Sequence, residues 1–326
     1  MRLAALACLL AAPALTPAWA DVVSVLDAHI LPGHARLAAQ TEALAEAARA
    51  DCAPESLLSA YHDARDAWVQ IGHIQFGPLE ESGLALAMDF WPDPRGTVPK
   101  TIARLTVDAD IDLTDPDAFA EVSAAAQGFS ALEWMLFTPQ ARAEEACALT
   151  RAIAGGLARK AASLEADWPA FADLMTSAGA DGNTRFQSEL EAQRALYTAL
   201  STGLEFLHDQ RLGRPLGTFD RPRPRRAEAR RSDRSLRHIT LSLGALEELA
   251  VLMGGGDIPQ TRAAFAEAKA RAAELDDPAL QGVADPAQRF RVEVLQQAVR
   301  AVQVAVIEEV GRPLGISAGF NALDGD

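Results

Sequence analysis

Apolar residues recur at intervals of three and four positions along almost the whole 326-residue chain. This spacing places them on one face of an α-helix, whereas a half-buried β-strand requires alternation with a period of two. The chain is rich in Ala and Leu and has few β-branched runs. The pattern predicts an all-α protein, and we expect two antiparallel four-helix bundles packed together.

Breaks in this periodicity divide the chain into two sets of helices. A polar stretch that contains glycine, residues 177–183, has the composition of a linker. We therefore expect an N-terminal bundle over residues 21–180 and a C-terminal bundle over residues 181–326. The predicted helices span residues 22–49, 54–74, 115–138 and the segment beyond Pro139, and then 184–212, 232–253, 259–275 and 286–310.

The first 20 residues have the features of a secretory signal peptide. Arg2 is their single charged residue, a run of small and apolar residues follows it, and an A-x-A cleavage site lies at Ala18 to Ala20. We expect residues 1–20 to be removed and the mature protein to be periplasmic. No other run is long and apolar enough to span a bilayer, so we expect no transmembrane segment in the mature chain.

The chain is strongly acidic, with a formal net charge of -15. An acidic protein is repelled by phosphate backbones and by anionic lipid, so we expect no nucleic-acid partner. The charge is compatible with the collection of cations. Most acidic proteins, however, are acidic simply because charge keeps them soluble.

Two cysteines remain once the predicted signal peptide is removed, Cys52 and Cys147. In an oxidising compartment an even number of cysteines favours a disulfide. Cys52 follows the first predicted helix and Cys147 lies near the start of the fourth, and these two ends fall on the same side of an up-down bundle. The alternative is a pair of buried free thiols.

Glu133 is a carboxylate in the middle of an apolar helical segment. Phe129, Glu133 and Phe137 are spaced i, i+4 and i+8, so they share one stripe of the predicted helix. An ionised carboxylate on such a stripe is costly unless a partner compensates it. Glu133 is therefore either a structural acid held by an arginine or a functional carboxylate in a cleft. The same predicted helix is expected to bury Val122, Ala126 and Leu136.

The residues around Glu133 resemble the GxHxxE signature of the imelysin family. Gly128 and Glu133 are in register with it, and Ser130 takes the place of its histidine. The resemblance implies an all-helical fold of two bundles with a site in the cleft between them. It also implies an envelope protein linked to iron uptake, with peptidase activity claimed for some members. Further similar segments lie at residues 76–78, 90–93, 226–235 and 319–326.

The serine changes what metal chemistry to expect. A histidine and a glutamate at i and i+3 share a helix face and can both ligate iron or zinc, whereas a serine hydroxyl is a poor ligand. Catalytic zinc typically has three protein ligands, and the sequence contains no HExxH motif. The candidate metal ligands are Glu133 and His73. His73 precedes a segment with Glu80, Glu81, Asp89 and Asp93. The alternative is a helix C-terminal histidine that interacts with the macrodipole.

An arginine-rich segment, residues 221–237, stands out in this acidic chain. One hypothesis is that its arginines pair with acids of the N-terminal bundle and hold the two bundles together. The other is that they form a clamp for a carboxylate or phosphate group. The arginines of the segment are Arg221, Arg223, Arg225, Arg226, Arg230, Arg231, Arg234 and Arg237.

The candidate ligand site combines three of these segments. Trp91 and Asp93 belong to an apolar but irregular stretch that either walls a pocket or plugs the core. Arg231 and Arg234 represent the arginine-rich segment. The complete set of candidate ligand-site residues is Gly128, Ser130, Glu133, Trp91, Asp93, Arg231 and Arg234.

Three functions are open at this point. The first is a non-enzymatic binding component of envelope iron acquisition, which takes a small ligand or a metal ion such as iron or zinc. The second is a metallopeptidase of the imelysin type. The third is a helical scaffold that engages another envelope protein.

Overall fold

The computed structural model describes residues 22–106, 111–139 and 146–315. Over these residues the chain forms α-helices with short 3-10 and π-helical turns, and it forms no β-strand. The predicted all-α class is confirmed. The predicted signal peptide at 1–20 and the family-like segment at 319–326 lie outside the described residues.

The N-terminal half begins with one long helix, α1. Helix α1 is continuous but changes pitch along its length, through Val22–Val25, a π-helical turn at Leu26–Ile30, and Leu31–Ala50. It packs along α2 and α8, and α7 contacts both of these helices. The other helices of this half are α2 (Pro54–Ile71), α3 (Pro78–Glu81), α4 (Ala85–Met88), α5 (Thr97–Leu105), α6 (Pro116–Ala120), α7 (Phe129–Phe137) and α8 (Ala146–Thr176).

The C-terminal half contains a second set of packed helices. Helix α9 contacts α10 and α12, α11 contacts the same two helices, and α2 packs against α10 where the halves meet. The independence of the two halves as domains, divided near residue 180, stays a prediction. The helices are α9 (Glu189–Glu205, extended by a π-helical turn at Phe206–Gly213), α10 (Ser235–Met253), α11 (Pro259–Ala273) and α12 (Pro286–Val306, extended by a π-helical turn at Ile307–Gly311).

Proline marks the first turn of several helices. Pro54, Pro259 and Pro286 begin α2, α11 and α12, where the sequence predicts helix starts. The fixed φ of proline and its missing N–H suit this position. Helix α9 begins later than predicted, at Glu189, because the side chain of Ser188 is its N-cap.

The single helix expected over residues 115–138 is wrong. Helix α6 ends early, a 3-10 turn follows at Ala124–Ala126, and α7 is a separate helix. The side chain of Gln127 stabilises the break by donating to the carbonyl oxygen of Ala120 at 3.0 Å. Two residues expected on the buried side of the helix that carries Glu133 therefore lie outside α7, namely Val122 and Ala126.

Gly128 immediately precedes α7 and allows a close backbone contact. A Cβ atom at this position would lie 2.4 Å from the carbonyl oxygen of Met88. Any other residue would therefore push the end of α4 away from the start of α7. The glycine of the GxHxxE-like signature has a packing role in this chain.

The apolar faces of the helices form a continuous core. Trp168 on α8 is fully buried and packs edge-on against Phe76 and Phe171. Tyr61, Phe119 and other large side chains are equally buried. In the described ranges, no helix has the length and apolarity needed to cross a bilayer.

A disulfide joins Cys52 to Cys147, as predicted. Cys52 follows the end of α1 and Cys147 lies in the first turn of α8, with their Cα atoms 5.4 Å apart. The bond links residues that are 95 positions apart in sequence. It therefore closes a long loop that includes α2 and α7.

We expect the exported protein to show no free thiol when it is unfolded without reductant and titrated with a thiol reagent. The double variant Cys52→Ser/Cys147→Ser should lose about 4 kcal/mol in free energy of unfolding, because the open chain gains loop entropy when it unfolds. Urea denaturation of both proteins measures this difference. Two titratable thiols in the wild-type protein would contradict the prediction.

Candidate functional site

Two cavities lie where the N-terminal helices meet α9, α10 and the arginine-rich segment. The larger cavity has a volume of about 350 Å³, and the smaller one has a volume of about 140 Å³. Trp91 lines both cavities, so they adjoin one another at this residue. The larger cavity is lined by residues that include Trp68, His73, Glu205, Phe206, Asp209 and Arg211.

Glu133 borders the smaller cavity and is almost fully buried, at 7% exposure. Its Oε1 atom accepts hydrogen bonds from the backbone N–H groups of Arg231 and Ser232, at 3.2 and 3.1 Å, and from the Ser232 hydroxyl at 2.9 Å. Burial raises the pKa of Glu133, and the Ser232 hydrogen bond and the charges of Arg65 and Arg231 partly offset this rise. The expectation of a buried, hydrogen-bonded Glu133 therefore agrees with the structure, and its direct partners are neutral donors.

Ser130 is engaged with an acid rather than with Glu133. Its hydroxyl donates to Asp89 Oδ1 at 2.5 Å. The other oxygen of Asp89 forms an ion pair with Arg65 Nη2 at 2.8 Å. The serine in the histidine position of the signature thus ties α7 to the segment after α4.

A buried ion-pair network lies behind the two cavities. Arg65 on α2 pairs with Glu228 Oε1 at 2.9 Å, and Arg211 on the α9 extension pairs with Glu228 Oε2 at 2.6 Å. The side chains of Arg65 and Glu228 are each only 3% exposed. Burial alone would raise the pKa of Glu228, but Arg211, His238 and Arg65 hold it well below its ordinary value.

Six of the eight arginines in the arginine-rich segment fall into two groups. Arg234 Nη2 donates to both carboxylate oxygens of Asp66 at 2.7 Å, and Arg237 Nε donates to the same carboxylate at 3.1 Å. These two arginines anchor the segment to α2, in agreement with the structural hypothesis. The second group lines the smaller cavity and consists of Arg225, Arg226, Arg230 and Arg231, joined there by Arg214 from the end of the α9 extension.

His73 does not meet the acids suggested by its position in sequence. Its Nε2 atom lies 3.0 Å from His29 Nε2, and His29 Nδ1 lies 3.0 Å from Glu248 Oε2. Burial and the neighbouring His29 lower the pKa of His73 well below its ordinary value. His29 is buried at the π-helical turn of α1, and His34 is buried as well.

Most of the predicted ligand-site residues converge on the smaller cavity: Trp91, Asp93, Ser130, Glu133 and Arg231. Gly128 and Arg234 do not line it, since the first packs against α4 and the second binds Asp66. The carboxylate of Asp93 accepts from the N–H groups of Thr97 and Val98, each at 2.8 Å, and so caps α5.

Sequence reasoning missed the three residues of the buried network. Arg65, Arg211 and Glu228 belong to different elements, and no spacing in the sequence connects them. The one available signal was Glu228 itself, an acid within the arginine-rich segment. An acid in such a position is typical of a carboxylate that forms ion pairs with several arginines.

The donor set around Glu133 does not fit a catalytic zinc ion. Oε1 of Glu133 already accepts three hydrogen bonds, and the Ser130 hydroxyl is committed to Asp89. Across the described residues, no group of three or more His, Cys, Asp or Glu side chains is arranged to hold a metal ion. A catalytic zinc site requires about three protein ligands and an open position.

The family model described as Imelysin matches residues 30–306. The chain belongs to the imelysin family. No curated protein matches the sequence. Membership of this family and the disulfide both fit an exported protein.

Two solved structures share the imelysin fold of this chain. An imelysin-like protein from Psychrobacter arcticum superposes with a TM-score of 0.76 at 19% identity, over 92% of this chain and 96% of that one. A protein named as an iron-regulated protein A precursor, from Parabacteroides distasonis, superposes with a TM-score of 0.69 at 13% identity, over 88% of this chain and 92% of that one. At these identities the similarity establishes the fold alone.

We expect Glu133→Gln to cost about 1 kcal/mol in free energy of unfolding, because the amide oxygen can still accept from Arg231 and Ser232. Glu133→Ala should cost about 3 kcal/mol, since buried donors then lose their acceptor. Urea denaturation at constant pH compares the two variants. If both variants lost the same free energy of unfolding, hydrogen-bond acceptance by residue 133 would not be what stabilises the fold at this position.

The raised pKa of Glu133 also predicts a pH dependence. Because the pKa of Glu133 is raised, the folded protein binds this proton more tightly than the unfolded chain does. The protonated carboxyl therefore contributes to the free energy of unfolding. This contribution is fully present below pH 4.5 and is lost as the pH rises through the raised pKa of the folded state. The stability deficit of Glu133→Gln relative to wild type should therefore shrink between pH 4.5 and neutral pH. A deficit that grows over this range would contradict the prediction.

We expect Glu228→Gln to destabilise the protein by about 3 to 5 kcal/mol, because Arg65 and Arg211 would then be buried without their shared counter-charge. Chemical denaturation gives the free energy. Glu267→Gln is a suitable control, since Glu267 forms an exposed pair with Arg271 on one helix and should cost less than about 1 kcal/mol. A cost for Glu228→Gln as small as the control would contradict the central role of the network.

Proposed function

We propose that this imelysin-family protein is a non-enzymatic binding component of iron acquisition in the cell envelope, located in the periplasm. Its ligand binds in the cleft where the two helix sets meet. The observation that carries this proposal is the larger cavity, which takes its walls from α2 and the segment after α4 on one side and from α9 and α10 on the other. Concave sites of this volume with mixed aromatic and polar lining are typical of small-molecule binding.

The lining of the larger cavity supports an organic ligand that carries a cation. Trp68, Trp91 and Phe206 provide aromatic surface, and Trp91 packs edge-on against Phe206 with ring centroids 5.7 Å apart. Glu205 and Asp209, one helical turn apart, place negative charge on the wall, and burial together with Asp209 raises the pKa of Glu205. Such a wall attracts positive charge, as a chelated iron ion would supply.

The link to iron draws on the family and on one structural neighbour. The protein from Parabacteroides distasonis is named as an iron-regulated protein A precursor. Because no described side chains form a complete metal-binding group, we favour iron that arrives already complexed over a free ion. The same absence of a ligand set disfavours the metallopeptidase hypothesis at Glu133, where the carboxylate and Ser130 are both engaged within the protein.

We expect purified protein to bind ferric citrate saturably, measured by the quenching of tryptophan fluorescence, since Trp68 and Trp91 line the larger cavity. Glu205→Gln should weaken this binding about tenfold, because a desolvated charge interaction is worth about 1.5 kcal/mol or more. Glu189→Gln, an exposed position on the same helix outside the cavity, is the matched control and should leave binding unchanged.

Peptide-cleavage assays test the alternative function, a metallopeptidase. The protein should not hydrolyse unfolded fluorogenic peptides, with or without added zinc. Peptide cleavage that a chelator abolishes would overturn the proposal in favour of a metallopeptidase. Failure to bind ferric citrate, ferrous ions and zinc ions alike would overturn the link to iron.

A further inference from the structure

We propose that the smaller cavity is a binding site for a small multivalent oxyanion, a compound that carries carboxylate or phosphate groups. This inference rests on the proposed binding function and deepens it, because it names the chemical class that the adjoining part of the cleft recognises. Five arginines border this cavity in a chain whose net charge is -15. They are Arg214, Arg225, Arg226, Arg230 and Arg231.

Among the described residues none of these five guanidinium groups forms an ion pair, in contrast to Arg234 and Arg237, which share Asp66. A guanidinium group has five donors and no acceptor, so only an acceptor-rich partner can complement it. The unpaired guanidinium groups around this one cavity are therefore complemented by an anion that the protein binds.

The acids that border the same cavity form no ion pair with these arginines. Asp93 uses its carboxylate to cap α5, and Glu133 accepts backbone N–H groups. Burial and repulsion by the neighbouring Arg230 lower the pKa of Arg231, while Glu133 and Asp93 act in the opposite direction. An oxyanion in the cavity would relieve this repulsion and would accept the forked hydrogen bonds that arginine donates.

The backbone that carries these arginines is held in place. Glu133 accepts from the N–H groups of residues 231 and 232, and the N–H of Arg234 donates to the carbonyl oxygen of Ala229 at 3.0 Å. Arg231 also stacks over Trp134, with its Cζ atom 4.3 Å from the ring centroid. Preorganised donors of this kind bind with a smaller entropic cost than donors on a mobile loop. On this account Glu133 is a positioning residue for the anion site.

The shape of the cavity favours a free small anion over a lipid headgroup. Trp91, Trp134 and a run of prolines, Pro92, Pro94 and Pro99, form much of its wall. The volume of about 140 Å³ suits a compound of the size of phosphate or a small polycarboxylate. Since Trp91 also borders the larger cavity, the anion site adjoins the cavity proposed for the iron complex.

The test measures binding of citrate and of inorganic phosphate, each without iron, by titration calorimetry on the full mature protein. At least one should bind saturably with a dissociation constant of about 1 mM or tighter. The variant Arg225→Gln/Arg226→Gln removes two exposed arginines that line the cavity, and it should weaken binding about tenfold or more. Circular dichroism confirms that it folds.

The matched control is Arg221→Gln/Arg223→Gln. It removes the same charge from two exposed positions in the same segment that do not line the cavity, so binding should change less than about twofold. An equal loss of affinity in both double variants would show that the arginines act only through the general surface potential. This result would overturn the site. Absence of binding to both anions would overturn it as well, as would binding to phosphatidylglycerol vesicles alone.

These outcomes separate the anion site from the proposed function. If citrate or phosphate binds while ferric citrate and both free metal ions fail, the anion site stands and the iron link falls. If ferric citrate binds and the arginine variant leaves its affinity and that of free citrate unchanged, the iron link stands and the anion site falls.

Discussion

The structure depends on one buried carboxylate that several distant cations share. Glu228 lies between Arg65 of α2 and Arg211 of the α9 extension, and it thereby joins the N-terminal helices to the C-terminal ones. Burying an ion pair is costly, so such a pair persists only when its partners are complete and well placed. Here that requirement fixes the arginine-rich segment at the junction, and both cavities take their walls from the elements so fixed.

The arrangement explains why Arg234 and Arg237 are held in ion pairs, whereas among the described residues the five cavity-lining arginines form none. Arg234 and Arg237 lie where the segment passes α2, and Asp66 neutralises them. The cavity-lining arginines face a region in which the available acids already serve as helix caps or backbone acceptors. The interface hypothesis therefore applies to Arg234 and Arg237, and the anion site is our proposal for the cavity-lining arginines.

The sequence was sufficient for the fold class and for local features with short-range causes. The period of the apolar residues predicted helices, prolines located several helix starts, and the count of cysteines predicted the Cys52–Cys147 bond. The break between α6 and α7 was missed because it depends on the Gln127 side chain and on close packing at Gly128, neither of which has a periodic signal. Glu133 was recognisable as a buried acid from its stripe, but its partners lie about a hundred residues away in an irregular segment. The pairing of Glu228 with Arg65 was missed for the same reason, since burial and pairing are tertiary properties.

The chain of side chains from Glu248 to His73 connects the outer surface with the larger cavity. The Glu248 carboxylate is largely exposed and accepts a hydrogen bond from His29 Nδ1. The hydrogen bond between His29 Nε2 and His73 Nε2 requires one of these nitrogens to donate and the other to accept, so the proton arrangement of His73 is tied to that of His29. A polar link of three side chains thus runs from an acid at the protein surface to a residue that lines the larger cavity.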